Sequence, residues 1–535
     1  MEQVKSHRNS ATHRKVVIVG AGIAGITAAA CAAKAGVPVL VCEQQPVPGG
    51  LVNSFTREGF LFDGGIRSME DSGVLFSMLR HLGIDIEMVR SRVSVGIGQS
   101  VLHIESEADL EGYREFLTDI FPESGDDIRR ITAVIKSVKH HMDTLYGIDN
   151  PAFHDFLREP KYLFGTLLPW MLRYAVINYR IRDMQKPVEE YLAEMTDNSA
   201  LIDMIAQHFF TRTPAFFALS YFRLYLDYHY PLGGTGKLVE KMVAFGEQAG
   251  AEFSFNRKIV AVNPEKRELV DQNGKVISYD QLIWTADNCM LYDSIDDSAL
   301  HDDQLAGRVR DTRTRLAAFS GGESVLTLYA AVSLPPEYFD AICNPHFFYT
   351  ANSRGLSSID RTELDAVLAA YPETPLSPEE IWRIIREWLQ QCIACNTFEI
   401  SIPVLRDHTL APEGKSGIVA SILFPYDVTR LAEEIGKYDE FKEFCRTAFI
   451  EVLHDSIFPG LREAVLFSFM ATPATMYRHS GNRDGAITGW AFTGEKPPAE
   501  NSMMKVFNAV ETVLPDIYQA GQWTFSPAGF PISII

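Results

Sequence analysis

Gly20, Gly22 and Gly25 fall at GxGxxG spacing, and Glu43 follows 18 residues after the last of them. These residue types at this spacing bind a dinucleotide. Gly20 lets a strand turn sharply, Gly22 lets backbone approach a diphosphate, and Gly25 lets a helix pack closely on a strand. A helix N-terminus at Gly22, Ile23 and Ala24 supplies N–H donors and a partial positive charge. A carboxylate at the end of the next strand, here Glu43 with Gln44 beside it, accepts from both ribose hydroxyls of an adenosine. Two double-glycine turns follow, Gly49-Gly50 with Leu51 and Gly64-Gly65 with Ile66. So close behind a nucleotide fingerprint, they suggest backbone passing near a flat ligand. Glycine turns return near the other end, at Gly521-Gln522 and Gly529-Phe530. One fingerprint without a second argues for a single dinucleotide in an extended site, and against separate FAD and NAD domains.

The elements that must position these residues are legible. Residues 16–19 are an apolar β-branched run of buried-strand length. An alanine-rich helical pattern follows, ended by Gly36, and residues 37–42 read as a second buried strand. Residues 237–249 predict a helix, 258–262 and 281–284 strands, and Asn273-Gly274 a turn: a return to the first sheet. Residues 324–334, 398–403 and 417–423 alternate as half-buried strands and predict an antiparallel sheet flooring a cavity. Residues 360–370 and 377–391 predict helices, with Trp382 and Trp388 in the core. Residues 85–227 read as helix-rich. Within them, 161–182 is strongly apolar yet carries Lys161, Arg173, Arg180 and Arg182. That composition suits a helix in a membrane interface or one walling a greasy tunnel; the plainer alternative is a core helix. Pro169 is expected to kink or split it.

Composition sets the outer bounds. At 535 residues the chain holds two or three domains. A net charge of −20 argues against nucleic acid as a partner. Seven scattered cysteines fit a reducing compartment rather than a disulfide framework. Cys392 and Cys395 form a CxxC without a second pair, which reads as the end of a buried helix; no metal site is expected. Residues 1–15 lack the apolar core of a signal peptide, and no run of 18 apolar residues predicts a membrane span. The expected location is cytoplasmic, with peripheral membrane contact through 161–182 as the one extension. Nothing in the sequence sets the oligomeric state.

The motifs together resemble the phytoene desaturase, carotenoid isomerase and retinol saturase group of FAD-dependent oxidoreductases, which shares a fold with the amine oxidases. Five landmarks carry the resemblance in order: the opening fingerprint; the pair of double-glycine turns, where the family reads GGRxxSF and then FDxG; Tyr230-Pro231-Leu232-Gly233-Gly234-Thr235-Gly236-Lys237-Leu238; Thr472-Pro473 with Arg478 and the 485–490 stretch; and Ala520-Gly521-Gln522-Trp523. Residues 407–414, DHTLAPEG, match a further turn of the family. Three features depart from it. Leu51 stands where the family has arginine, Ala528 and Phe530 interrupt a glycine-rich loop, and the sequence leaves room for no more than a turn of helix after Gly529.

The resemblance implies an α/β protein. Its Rossmann-like FAD-binding domain is built from discontinuous segments 14–90, 229–310 and 481–535. Its α+β substrate domain contains a helical subdomain, 91–228, and an antiparallel sheet, 311–480. The resemblance also implies adenine on the backbone at Ile259, Ala286 toward the pyrophosphate, and the final turns on the ribityl side. With no cysteine or histidine near those turns, the FAD is expected to be non-covalent. The implied reaction is saturation, desaturation or flavin-assisted isomerisation at a carbon–carbon double bond of a lipophilic substrate. The alternatives are a flavin amine oxidase, for which Trp490 is the one cage candidate, and a flavin-binding protein without turnover. Arg67, just past the second double-glycine turn, is the single residue assigned to catalysis. His208 and the cluster Tyr221, Arg223, Tyr225, Asp227, Tyr228 and His229 are further acid–base candidates near the cavity, for each of which a satisfied structural role is the plainer reading.

Overall fold

The computed structural model describes residues 12–154, 159–493 and 495–535. Residues 1–11, part of the stretch read as lacking a signal peptide, lie outside them. Thr12–Val19 is the middle of the first sheet. It runs parallel to Val39–Cys42 on one side and to Val276–Trp284 on the other. Glu252–Ser254 extends the sheet in parallel beyond Val39–Cys42, and Ile517–Gln519 joins in parallel along the end of Val276–Trp284. Ile259–Asn263 and Glu268–Asp271 complete it as an antiparallel hairpin. Residues 16–19 and 39–42 are continuously apolar because both faces of the sheet are covered there. Val16, Ile18, Val39 and Val41 pack toward the helices Ile23–Lys34, Leu75–Leu82 and Gly236–Gln248. Val17, Val19, Leu40 and Cys42 face the other way, toward Asn288–Asp293 and Asp303–Ala317.

The second sheet has seven strands, in the order Val465–Ala471, Ser324–Val332, Ser416–Phe424, Thr397–Ser401, His346–Thr350, Val93–Ile97 and Ser100–Ile104. Its pairings are antiparallel except that of His346–Thr350 with Val93–Ile97. One face buries the helices Pro378–Cys395 and Tyr438–Ser456, with Trp388 in that core and Trp382 half-buried against it. The helix Pro378–Cys395 ends at the CxxC, whose two thiols are free and buried. The hairpin Val93–Ile97/Ser100–Ile104 lies inside the stretch read as helix-rich. Its alternation of Val93, Val95 and Ile97 is a strand pattern, and its partner strand comes from 253 residues downstream. The rest of that stretch is helical, from Asp109–Ile120 and Gly125–Leu145 to Tyr221–Tyr225.

Pro169 does not split its helix. Pro160–Tyr162 continues through a π turn, Leu163–Leu167, directly into Leu168–Arg180. A proline removes one N–H and crowds the carbonyl one turn back, and a single wide turn ahead of it absorbs both effects. Nor is this a core helix. Leu167 and Ile177 are buried, but Phe164, Leu168, Leu172, Val176 and Tyr179 form an exposed apolar stripe, Leu172 and Tyr179 at 74% exposure.

Candidate functional site

The site lies between the carboxyl ends of the first sheet's strands and the inner strands of the second sheet. Val19 ends the central strand, and Gly20 turns it with φ +104°. Gly25 comes next on the helix, and a Cβ there would stand 2.0 Å from the Gly20 carbonyl oxygen. Thr285 locks this crossing: its Oγ1 donates to the carbonyls of Val19 (2.9 Å) and Gly20 (3.0 Å). A Cβ on Gly22 would instead meet no protein atom within 4 Å, because the space above it is open. These two glycines of one motif therefore answer different needs. Gly25 makes room for protein, and Gly22 leaves room for something else.

Glu43 stands at the end of the second strand, almost wholly buried. Its Oε2 accepts from the Ala21 N–H and its Oε1 from the Gln45 N–H, both at 2.7 Å. The Gln45 amide in turn donates to the His479 carbonyl at 2.6 Å, so the helix Pro473–Ser480 closes over this end.

The double-glycine turns are shaped by close backbone contacts. Gly49 donates its N–H to the Ala21 carbonyl at 2.7 Å and forms a bridge with Gly22. A Cβ on Gly64 would strike Asn53 Oδ1, and one on Gly65 the Leu51 carbonyl, each at 2.1 Å. Behind them lies Asp63, fully buried. It accepts from Ser54 Oγ, Tyr230 OH, Thr235 N–H and Thr235 Oγ1 at 2.8–2.9 Å. Asp407 accepts from the Gly233 N–H at 2.9 Å. The motifs at 49–65, 230–238 and 407–414 thus meet in one knot around two carboxylates.

A single cavity of about 360 Å³ runs from the first glycine turn to the second sheet. Among the residues read as cofactor-binding, Gly20, Gly22, Ile23, Ala24, Glu43, Gln44, Gly49, Gly50, Leu51, Gly64, Gly65, Ile66, Ile259, Ala286, Gly521, Gln522, Gly529 and Phe530 all line it. Gly25 does not; it lies beneath, in the helix–strand contact. Gly529 caps the helix Phe530–Ile534, whose Phe530, Pro531 and Ile534 are buried beside the helix Ile23–Lys34.

The far end of the cavity is aromatic and charged. Phe210, Phe217, Tyr221 and Tyr228 wall it, with Arg67, Glu70, His346 and Glu399. Arg67 is 7% exposed; its Nη1 donates to Glu399 Oε2 at 2.9 Å and its Nη2 to Ser421 Oγ. His346 Nε2 approaches Glu399 Oε1 to 3.1 Å, in ion-pair rather than aligned hydrogen-bond geometry. Its Nδ1 lies 2.9 Å from Ser68 Oγ. Burial pushes the Glu399 carboxyl up, but the charge of Arg67 and the contact with His346 overcome it and hold the group at about 2. The 35% of the Glu399 side chain that is accessible faces this cavity rather than the outside. Burial lowers His346, against the opposing pull of Glu399.

Sequence reasoning named Arg67 but missed its partners Glu399 and His346. The available signal was a lone glutamate in the otherwise apolar-alternating run 398–403. His208 does not reach the main cavity. It lines a separate cleft of about 40 Å³, where its Nε2 lies 3.0 Å from Tyr225 OH and burial lowers it to about 3. Trp490 is not a cage residue. It is a core side chain whose Nε1 donates to the Trp523 carbonyl, and it packs edge-on to the Trp523 ring at 4.9 Å.

Residues 18–82 match the model of an NAD(P)-binding Rossmann-like domain. The chain is 22% identical over 535 residues to a lycopene-forming phytoene desaturase of Pseudescherichia vulneris, covering 97% of this chain and 96% of that one. It is 22% identical over 497 residues to a chloroplastic prolycopene isomerase of Daucus carota, covering 88% and 71%. Its fold is shared by a redesigned putrescine oxidase, with a TM-score of 0.57 at 15% identity, covering 95% and 93%. The Rossmann sheet, the dinucleotide cradle and these likenesses identify a flavin-type dinucleotide as the cofactor. Gly22, open to the cavity, and Glu43, poised at its end, fit such a group. Likeness along nearly the whole chain, together with the shared fold, makes this protein similar to the phytoene desaturase and carotenoid isomerase group of FAD-dependent oxidoreductases.

Proposed function

We propose that the chain binds FAD non-covalently and acts on a carbon–carbon double bond of a polyene or other unsaturated lipophile. The observation that carries this reading is one continuous cavity that joins a nucleotide cradle to an aromatic chamber. Its assignments run along that cavity. Glu43 and Gln44 hold the adenosine ribose, and Ile259 backbone meets the adenine. The N-terminus of Ile23–Lys34 and the Ala286 turn face the diphosphate. Gly49, Gly50, Gly64 and Gly65 border the middle, and Gly521, Gln522, Gly529 and Phe530 close the opposite side. Bound there, the flavin supplies two-electron chemistry. The protein's share is to orient the substrate, exclude water behind Phe210, Phe217, Tyr221 and Tyr228, and hold a fixed charge pair at Arg67 and Glu399. Arg67 is the residue assigned to face the reacting centre.

The test is anaerobic photoreduction of the bound flavin, followed by mixing with a conjugated polyene or an unsaturated fatty acid. Re-oxidation of the flavin, or conversion of the lipid, supports the reading. Indifference to both lipids combined with reaction toward amines overturns it. The amine oxidase alternative has the shared fold in its favour, but its one cage candidate, Trp490, lies in the core.

A peripheral membrane contact fits the same reading, because a lipophilic substrate must be drawn from somewhere. None of the described helices is long and apolar enough to cross a membrane. The exposed stripe on Leu168–Arg180 and the π turn before it, with Arg173, Arg180 and Arg182 alongside, has the character of an interfacial helix. Replacing Leu172 and Tyr179 with glutamate is expected to abolish co-flotation with anionic lipid vesicles while leaving flavin content intact.

A further inference from the structure

We propose that Glu70 carries the proton of the reaction: it donates to, or accepts from, the carbon beside the one that exchanges a hydride with the flavin. This deepens the function proposed above and rests on it. It also selects hydrogen transfer, saturation or desaturation, over redox-neutral isomerisation.

Glu70 ends the short strand Met69–Glu70, three residues past Arg67, in register with Tyr228. It lines the main cavity. A Cβ on Gly529 would stand 3.8 Å from its Oε1, so its carboxyl lies against the final turn, where the cradle meets the aromatic chamber. The titratable groups facing it are Asp227, Tyr146, Tyr221 and Tyr228, none of them cationic. Burial raises its carboxyl to about 7, and the nearby Asp227 adds to the rise.

The other candidates in the wall are spoken for. Glu399 is held ionised between Arg67 and His346. His346 is buried against Ser68 and Glu399, and His208 belongs to the separate cleft. Two carboxylates in one cavity whose environments drive their proton affinities apart mark an acid–base assignment. Here Glu399 is the fixed charge and Glu70 the exchangeable proton.

The step balances. In saturation, one carbon takes a hydride with its electron pair from reduced flavin. The other forms a C–H bond with the Glu70 proton, whose O–H bond breaks to leave carboxylate. In desaturation, the hydride passes to oxidised flavin and the Glu70 carboxylate accepts the proton as the double bond forms.

The test compares wild type, Glu70→Gln and Glu70→Asp, each loaded with FAD, in anaerobic mixing of photoreduced enzyme with a conjugated polyene. Glu70→Gln is expected to slow substrate-dependent flavin oxidation about 10²- to 10⁴-fold at unchanged flavin content. Glu70→Asp is expected to restore part of the rate. In heavy water, where photoreduced flavin itself carries solvent deuterium, the saturated product should carry two deuteriums, one on each carbon of the former double bond. Independently of turnover, the infrared carbonyl band of a protonated carboxyl should vanish in wild type as pH rises through about 7, and should be missing in Glu70→Gln. A Glu70→Gln rate and pH profile equal to wild type, product without deuterium at the carbon that takes the proton, or a wild type lacking that band overturns the proposal. If wild type keeps the band but oxidises its flavin with no unsaturated lipid, the function beneath the proposal fails instead.

Discussion

Gly22→Ala and Gly25→Ala change neighbouring glycines of one motif, and the structure assigns them opposite consequences. At Gly25 the new Cβ meets the Gly20 carbonyl at 2.0 Å and Thr285 Oγ1 at 2.8 Å, against an ordinary contact of 3.4 Å or more. The shortfall at the carbonyl is 1.4 Å, both partners are backbone-anchored, and the helix must lift off the central strand. Overpacking of this kind costs about 1–3 kcal/mol, occasionally more. Gly25→Ala should therefore lower the unfolding midpoint whether or not FAD is added, and should lose flavin because the cradle itself is displaced. At Gly22 the added methyl meets no protein atom within 4 Å, and φ of −71° suits alanine. The apo-protein should melt within experimental error of wild type. The methyl enters the space assigned to the diphosphate, so one charge-assisted N–H contact is expected to be lost. That loss is worth about 1.5–3 kcal/mol, or roughly 10- to 150-fold in Kd. The assay is thermal unfolding of each variant with and without FAD, alongside flavin titration by fluorescence quenching. Gly22→Ala that binds FAD as wild type does would refute the placement of the diphosphate. Gly22→Ala that melts early without FAD would refute the division of labour between the two glycines.

Three further outcomes follow from the cavity wall and the core. Glu399, ordinarily near 4.5 and held here at about 2, contributes stability that is present above pH 4.5 and lost as pH falls toward 2. Glu399→Gln should flatten that acid loss in a denaturant series, and at neutral pH should cost ~3 kcal/mol or more by leaving Arg67 buried without its counter-charge. Glu70 has the opposite sign: it keeps its proton in the folded protein up to about pH 7 while the unfolded chain releases it near 4.5, so stability falls as pH rises across that window. The stability of FAD-loaded Glu70→Gln relative to wild type should accordingly grow from pH 5 to pH 8. Finally, all seven cysteines are free and only Cys31 is not fully buried. Burial raises the Cys42 thiol to about 11 and those of Cys289 and Cys392 to about 12. Native protein at pH 8 should release at most one fast equivalent in a thiol-titration assay, with the rest appearing only in denaturant.

What could be read from the sequence was whatever the backbone states locally. The strand–glycine turn–helix of residues 16–34 is specified by steric needs that only glycine meets, and by apolar runs that only a doubly covered strand tolerates. The exposed face of the helix around Pro169 was half-visible, as an apolar segment with too many arginines for a core. What could not be read was pairing over distance. The hairpin Val93–Ile97/Ser100–Ile104 joins a sheet whose adjacent strand, His346–Thr350, is fixed by contacts no local pattern encodes. Arg67 was singled out by its place after a turn, yet its state depends on Glu399, 332 residues away.

The same logic explains why the double-glycine turns were legible as special while the reason for each glycine was not. A flat ligand and a neighbouring backbone impose one demand, the absence of a Cβ, and sequence cannot tell them apart. At Gly64 and Gly65 the structure supplies the neighbours, Asn53 and the Leu51 carbonyl. At Gly22 it supplies none, and an unfilled demand for closeness is the stronger sign of a bound group. Among the glycines of this site, the one with empty space above it points most directly to the cofactor.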